Sequence, residues 1–447
     1  MKLYRCVCCY LFITLLFTIR AAYAQIAPAM KATFDQLIDA RFKPDAPGGT
    51  VLLAQKGKVL YERGFGMSNL ELNVKMQPDM LFEIGSQTKQ FTAICILQLM
   101  EQGKLAVTDP ISKYIEDCPE AWQRVTIENL MTHSSGISDL GNGRNMPDTE
   151  KINAAKKQPL AYTPGTKTVY ANIEFMLLGV IVEKVSGQPI GNYIKEHILG
   201  PLGMKHTYCN VNEGVIPNRT PAYLKRSIGY TNVVTSNTVG GAGGLISNTY
   251  DMLTWYEALA AGKLVKKETL EQAWKPYLLA DGKPSKFGYG WGAGGAVQGS
   301  PIIEHGGLAA GYSTESLYMP KEQIFVGVFL NQRSYADPVA IELAAIFIGK
   351  PYPMDGIKLT DEELKAFAGT YDIGEGNKRN VTLNNGKLTY EGTPKLQIIP
   401  YDKDKFYLYN ALLTGTVRRD EQGKITALEL SDNRYLSYPG ILWKKIE

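Results

Sequence analysis

Apolar and polar positions change rhythm twice along the 447-residue chain. Residues 48–61 alternate as two strands around a Lys56-Gly57 turn. After Ser86 the period becomes helical. Phe91, Ile94, Cys95 and Leu99 recur on one face, and Ala93, Ile96, Leu97 and Met100 on another. A helix apolar on more than one face belongs in a core, and this one is predicted to end near Gly103. A second apolar helix spans 172–185 and is stopped by Ser186-Gly187; a third spans 247–259. Strand text returns at 302–303, 315–319 and 325–330, and residues 338–348 read as a closing helix. Strands at both ends with helices between predict one sheet built from both ends of the region and covered by helices, an α+β layer fold.

The second change falls at Gly349-Lys350-Pro351-Tyr352-Pro353. After a short helix start at Leu359-Thr360-Asp361-Glu362-Glu363 the text is strand and turn. Val381-Thr382-Leu383 and Lys387-Leu388-Thr389-Tyr390 flank Asn384-Asn385-Gly386, and Asn-Gly supplies the positive φ angles of a tight hairpin turn. Further strands are expected at 396–399, 406–408, 416–419 and 425–430. Residues 360–447 thus read as a small antiparallel β domain, barrel-like, expected to shape specificity without supplying the nucleophile.

Residues 1–24 read as a cleavable secretory leader. Lys2 and Arg5 open it, an apolar run spans 10–18, and Ala22-Tyr23-Ala24 offers the small-residue cleavage site. The run is too short to span a bilayer, so the expected location is periplasmic or secreted, without stable membrane insertion. Residues 25–355 would form the first mature domain. The net charge of +4 falls by three when Lys2, Arg5 and Arg20 leave, which gives no electrostatic case for nucleic acid. Cys95, Cys118 and Cys209 then remain, too few for a disulfide scaffold. His133, His197, His206 and His305 have no helical metal-ligand spacing, and no Cys-x-x-Cys occurs, so no metal and no cofactor are expected. The expected partner is a small molecule or short peptide.

Ser86 is the one serine followed three residues later by lysine. On a helix, residues i and i+3 share a face, so Ser86 Oγ and Lys89 Nζ are expected to meet. A serine hydroxyl needs a base to become a good nucleophile, and a lysine serves only when burial lowers its pKa. Tyr170-Ala171-Asn172 follows the turn Tyr162-Thr163-Pro164-Gly165-Thr166 and opens the second apolar helix. A tyrosine there would point its phenol into a site and relay a proton, and Asn172 would bind a substrate carbonyl or orient the lysine. His305-Gly306-Gly307-Leu308 lies shortly before a late strand. Its glycines would let a substrate approach backbone closely, and a strand-edge N–H would complete an oxyanion hole, each donor worth about 2.7–4 kcal/mol.

These motifs, in this order, resemble the penicillin-recognising serine hydrolases: class C β-lactamases, β-lactamase-like esterases, D-aminopeptidases and low-molecular-weight penicillin-binding proteins. The resemblance covers roughly 45–350. It includes Phe82-Glu83-Ile84-Gly85-Ser86-Gln87-Thr88-Lys89, Leu130-Met131-Thr132-His133-Ser134-Ser135-Gly136, Ala242-Gly243-Gly244-Leu245 and Phe287-Gly288-Tyr289-Gly290-Trp291. It implies a β-lactamase/DD-peptidase-like antiparallel sheet flanked by helices. It also implies Ser86 as nucleophile, Lys89 as base, Tyr170 as proton relay, and Asn172, His305, Gly307 and Leu308 as substrate contacts. The N–H groups of Ser86 and Leu308 would form the oxyanion hole, and His133 would be structural. One departure stands out. Where β-lactamases and penicillin-binding proteins carry Lys-Thr-Gly, this chain has His305-Gly306-Gly307, without the cation and hydroxyl that hold a substrate carboxylate. The pattern is more similar to D-aminopeptidase and esterase branches. A serine hydrolase acting on an ester, or on an amide or peptide with D-residues, is therefore expected, with weak or absent β-lactamase activity. An acyl-transfer enzyme, or a slowly deacylating penicillin-binding or sensor-like protein, is the alternative.

Overall fold

The two ends of the predicted sheet meet in hydrogen-bonded register. The computed structural model describes residues 26–446 apart from 140–145, 210–213, 234–239, 335, 354–355, 375, 393–394, 410–412 and 433–440; the expected leader lies outside the described residues. Strands β1 (Gly49–Gln55), β2 (Lys58–Phe65), β3 (Gly292–Val297), β4 (Ser300–Ala309), β5 (Tyr312–Met319) and β6 (Ile324–Leu330) form one antiparallel sheet in the order β2-β1-β6-β5-β4-β3. The closure is the β1–β6 pairing, from Gly49 opposite Leu330 to Gln55 opposite Ile324.

Alternation along β1 sorts the sheet's two faces. Leu52 and Ala54 join Phe325 and Phe329 on the face covered by helices α2 (Thr88–Glu101), α3 (Asn172–Ser186) and α4 (Thr249–Ala260). Val51 and Leu53 join Leu317, Val326 and Val328 on the opposite face, covered by α1 (Pro28–Asp39) and α5 (Ala336–Phe347). Helix α2 is buried nearly all round, as its pattern predicts. Its Phe91, Ile94, Ile96, Leu97 and Leu99 are each about 1.5–3 kcal/mol better off buried than exposed. Helix α3 ends where expected, with Gly187 in the left-handed conformation.

The C-terminal region is a closed antiparallel barrel of eight sequentially ordered strands: β7 (Gly369–Asp372), β8 (Lys378–Asn384), β9 (Lys387–Tyr390), β10 (Leu396–Asp402), β11 (Lys405–Leu408), β12 (Leu413–Arg419), β13 (Ile425–Asp432) and β14 (Ile441–Lys445). A capping box between Thr360 and Glu363 starts the short helix α6 (Asp361–Phe367) ahead of it. Side chains fill the interior, among them Phe367, Tyr371, Phe406 and Trp443. The barrel docks on the α1–α5 side of the sheet. The Tyr407 phenol donates to Glu342 Oε1 at 3.2 Å, Arg41 Nη2 donates to Glu342 Oε2 at 2.6 Å, and the Tyr407 ring stacks on Tyr352.

Candidate active site

Ser86 sits in a single 3-10 turn, Gly85–Gln87, that runs directly into α2. The turn is tied to β5, because Gln87 Nε2 donates to Thr314 Oγ1 at 2.8 Å and Thr314 Oγ1 donates to the Ile84 carbonyl at 3.1 Å. It also presses on β4. A Cβ at Gly307 would lie 1.9 Å from Ile84 O, and one at Gly85, whose φ is +53°, would lie 2.9 Å from the Leu308 backbone. The expectation that Gly307 opens the backbone to substrate is thus corrected: the chain's own carbonyl occupies that space. What the glycine secures is the approach of Leu308, whose side chain is 57% exposed, to the Ser86 turn. The motif lies ahead of β5, as expected, and is itself part of β4, since pairing to β5 overrides the low strand propensity of its glycines.

Lys89 is buried and makes three polar contacts: Ser86 Oγ at 3.1 Å, Asn172 Oδ1 at 2.8 Å and the Ala242 carbonyl at 3.0 Å. The amide and main-chain oxygens only accept, so two N–H bonds point at them. The third tetrahedral direction faces Ser86, and in the neutral amine that direction is the lone pair. Burial lowers the lysine's pKa to about 7, against the opposing pull of Asp139. The Ala242-Gly243-Gly244 block thereby gains a function. Its carbonyl is fixed because Gly241 packs where a Cβ would lie 1.9 Å from Phe175 O, and because Thr92 Oγ1 donates to Gly241 O at 2.7 Å.

Tyr170 enters just before α3 and donates its phenol to Ser86 Oγ at 2.7 Å. Tyr170 is 40% exposed. Burial, opposed by the Ser86 hydrogen bond and reinforced by Asp139, pushes the phenol above its usual range. Tyr170 therefore stays a donor, and Ser86 has one remaining direction for its own proton, toward Lys89.

Beneath Tyr170 lies a pair that composition alone does not flag. The His133 ring is 4.5 Å from the Tyr170 ring, with its backbone at φ +56°. Its Nδ1 is 2.6 Å from Glu174 Oε2 and 3.3 Å from the Ala171 amide. An amide N–H must donate, so Nδ1 is an acceptor, and Glu174 Oε2 must then carry a proton to share it. Glu174 Oε1 fits this state, since it accepts from the Ser135 hydroxyl at 2.5 Å and the Ser135 amide at 3.2 Å. Burial drives both groups to their neutral forms, Glu174 upward and His133 downward. The pair is a neutral hydrogen bond, not an ion pair. The sequence signal was a lone acid, Glu174, between Ile173 and Phe175 in an apolar helix. Asp139, whose Oδ2 accepts from the Asn172 amide at 2.7 Å, had no such signal.

His305 is buried on β4, its ring 6.3 Å from that of Tyr170. Burial, helped by the Lys89 charge, lowers its pKa to about 3. Ser86, Lys89, Tyr170 and Asn172 are thus directly connected, with His305 and Leu308 at the margin and Gly307 acting as a spacer. Among the described residues no His, Cys, Asp or Glu group of three is placed to hold a metal.

A buried Ser–Lys–Tyr cluster between an antiparallel sheet and apolar helices is the arrangement of the penicillin-recognising serine hydrolases. The Beta-lactamase family model matches residues 32–349, and the chain belongs to that family of serine hydrolases. It is 29% identical over 400 residues to penicillin-binding protein 4* of Bacillus subtilis, covering 80% of this chain and 87% of that one. The structure of the octameric penicillin-binding protein homologue from Pyrococcus abyssi superposes with a TM-score of 0.66 at 25% identity, over 93% of this chain and 99% of the other. The fold is shared as well with a D-stereospecific amidohydrolase from Streptomyces sp., at a TM-score of 0.61 and 24% identity, over 71% of this chain and 99% of that one.

Proposed function

We propose that the protein is a periplasmic or secreted hydrolase of the Ser-x-x-Lys type, working through an acyl-enzyme on an ester or on an amide with D-residues. The observation that carries this reading is the buried Lys89 amine, aimed at Ser86 Oγ by two acceptors and titrating near neutrality. Neutral Lys89 takes the Ser86 proton as Oγ attacks the carbonyl carbon. The N–H groups of Ser86 and Leu308 hold the oxyanion. On collapse, the leaving group takes the Tyr170 proton, and protonated Lys89 restores the proton to the Tyr170 phenolate. Water then repeats the sequence and frees the acid. Asn172 divides its work: Oδ1 holds Lys89, and its amino group faces substrate.

The third motif argues for esters and amides without a carboxylate clamp. His305 is neutral, and Gly306 supplies no hydroxyl, with the Glu315 carboxyl 2.9 Å from where its Cβ would lie. A short-chain aryl ester should be cleaved faster than benzylpenicillin. The test is labelling with a fluorophosphonate followed by mass spectrometry. Label on Ser86, with Ser86→Ala unlabelled and inactive toward the same ester, supports the reading. Wild-type turnover by Ser86→Ala sinks it.

A further inference from the structure

The two N–H groups that would hold the oxyanion come from different elements, Ser86 from the turn before α2 and Leu308 from β4. Gly85 presses on the Leu308 backbone where they meet. The chain leading into the turn is gripped on both flanks. On one, residues 82–83 pair with 246–247, and the Ile84 amide donates to the Leu245 carbonyl at 3.0 Å. On the other, the Leu81 amide donates to Asn218 O at 2.9 Å, and the Thr220 amide donates to Leu81 O at 3.0 Å.

Between these grips lies an acid. Glu83 is 1% exposed, three residues before the nucleophile, and its Oε1 accepts from Arg219 Nη2 at 2.9 Å. Burying a carboxylate is costly even when it is paired, and apolar residues of similar volume often do as well. Stability alone is therefore a poor account of the pair.

Its place in the fold gives a better one. Arg219 precedes Thr220, whose carbonyl accepts from the Tyr312 phenol at 2.5 Å. Burial pushes that phenol above its usual range, reinforced by the Glu83 charge and opposed by Arg219, so it stays a donor. Tyr312 opens β5 and stands opposite Ala309, the residue after Leu308. From the Ser86 turn the path runs through Glu83, Arg219, Thr220 and Tyr312, and it returns to the strand of Leu308. The pair is the one charged link in a ring that joins the two N–H donors.

Resting on the reading of Ser86 as nucleophile, we propose that Arg219 is a positioning residue for the oxyanion hole: through Glu83 it fixes the Ser86 turn against the Leu308 strand. It acts on the transition state by setting the gap between two donors, without touching the substrate.

The experiment measures turnover of a short-chain aryl ester and fluorophosphonate labelling of Ser86, both per folded molecule. Arg219→Met should lower kcat by about 100-fold, the scale of moving a reacting group by about 1 Å, with a much smaller change in KM. Labelling should slow alongside. Arg219→Lys keeps a charge and a donor but not the planar fork, so it should recover part of the rate. Glu83→Gln keeps the outline of the side chain, so it tests the same link should the methionine variant fold poorly. It should cost about tenfold, the scale of one charged hydrogen bond. The double variant should be no slower than Arg219→Met, because residues that act as a unit are not additive. A pair that only stabilises would lower the urea midpoint and leave kcat and labelling per folded molecule at wild-type values in both single variants, which overturns the proposal. Losses that multiply in the double variant overturn it too. Wild-type protein that takes no label at Ser86 sinks the serine reading, and the positioning role with it.

Discussion

Two basic side chains sit on opposite sides of the same sheet, Lys89 buried and Arg41 largely so, and their surroundings differ. On the α2–α3 face, Lys89 is met only by neutral oxygens, those of Ser86, Asn172 and Ala242. Nothing within bonding distance repays its desolvation as a cation, so it gives up its proton near neutrality. On the α1–α5 face, Arg41 is bonded to a carboxylate, Glu342, which also accepts from Tyr407 of the barrel. A guanidinium cannot shed its proton. Its partner Glu342 is lifted above the usual carboxylate range by burial, against the opposing pull of Arg41. Burial with neutral acceptors makes a reactive base, and burial with a counter-charge makes a joint between domains.

The sharpest way to break this contrast is Lys89→Met. Loss of a positioned base should lower kcat/KM by about 10³-fold or more, with the protein still folded by circular dichroism. In the wild type, kcat/KM should rise with pH and level off above about 7, as Lys89 loses its proton. Stability should follow the same group. The folded pKa lies below the ordinary lysine value of 10.5, so between about 7 and 10.5 the unfolded chain binds more protons and stability increases with pH. The penalty for burying the amine is complete below pH 7. Denaturant titrations of Lys89→Met should lack that rise; an unchanged slope would mean that the lysine is not the group titrating.

The joint should behave in the opposite way. Glu342→Ala leaves Arg41 charged and largely buried without its partner, and Tyr407 without its acceptor. Breaking such a pair costs about 3–5 kcal/mol, read as a lowered urea midpoint. The fraction still folded should be labelled at Ser86 at the wild-type rate. A fall in labelling per folded molecule would show that the barrel interface reaches the catalytic side of the sheet.

Gly307→Ala tests a contact of the Ser86 turn itself. Its Cβ would have to displace the Ile84 carbonyl from 1.9 Å and Thr314 Oγ1 from 2.4 Å. Moving a nucleophile by about 1 Å costs about 100-fold, so kcat should fall by that order with a smaller change in KM. Wild-type kcat in a folded Gly307→Ala protein would show that β4 does not set the position of Ser86.

The sequence made the reactive side of this comparison more legible than the joint. Helices α2 and α3 announce themselves because burial on every side leaves nearly continuous apolar text, and Ser86, Lys89 and Tyr170 lie at their N-terminal ends. Strand β3 was hidden because Gly292, Gly294 and Gly295 have little strand propensity, so pairing with β4 decides their conformation. Helix α1 was hidden because only Phe34 and Ile38 are buried in it. The barrel's hairpin at Asn385-Gly386 was readable from turn chemistry, and both residues do adopt positive φ. The barrel-like reading is correct, but the two strands that close it, β7 and β14, were not among those expected. Asp139, Ala242 and Arg41 act through contacts 33 to 301 residues away, which no local pattern encodes.

The smallest expected effect separates shape from charge beneath Tyr170. If Glu174 is a neutral acid donating to His133 Nδ1, then Glu174→Gln replaces one donor–acceptor pair with another of the same outline. The amide N–H would bond the ring nitrogen, and its carbonyl would accept from Ser135. Activity should stay within about threefold, and stability within about 1 kcal/mol, the scale of one hydrogen bond. Glu174→Ala should do worse on both counts, because it leaves His133 Nδ1 and the Ser135 hydroxyl without their partner and a void beside Phe175. An ionised Glu174 predicts a different result for glutamine. Its removal would strip a negative charge that acts on Lys89, and the rise of kcat/KM with pH would move to lower pH. A profile in Glu174→Gln that overlays the wild type is the signature of a carboxyl that never carried charge in the folded protein.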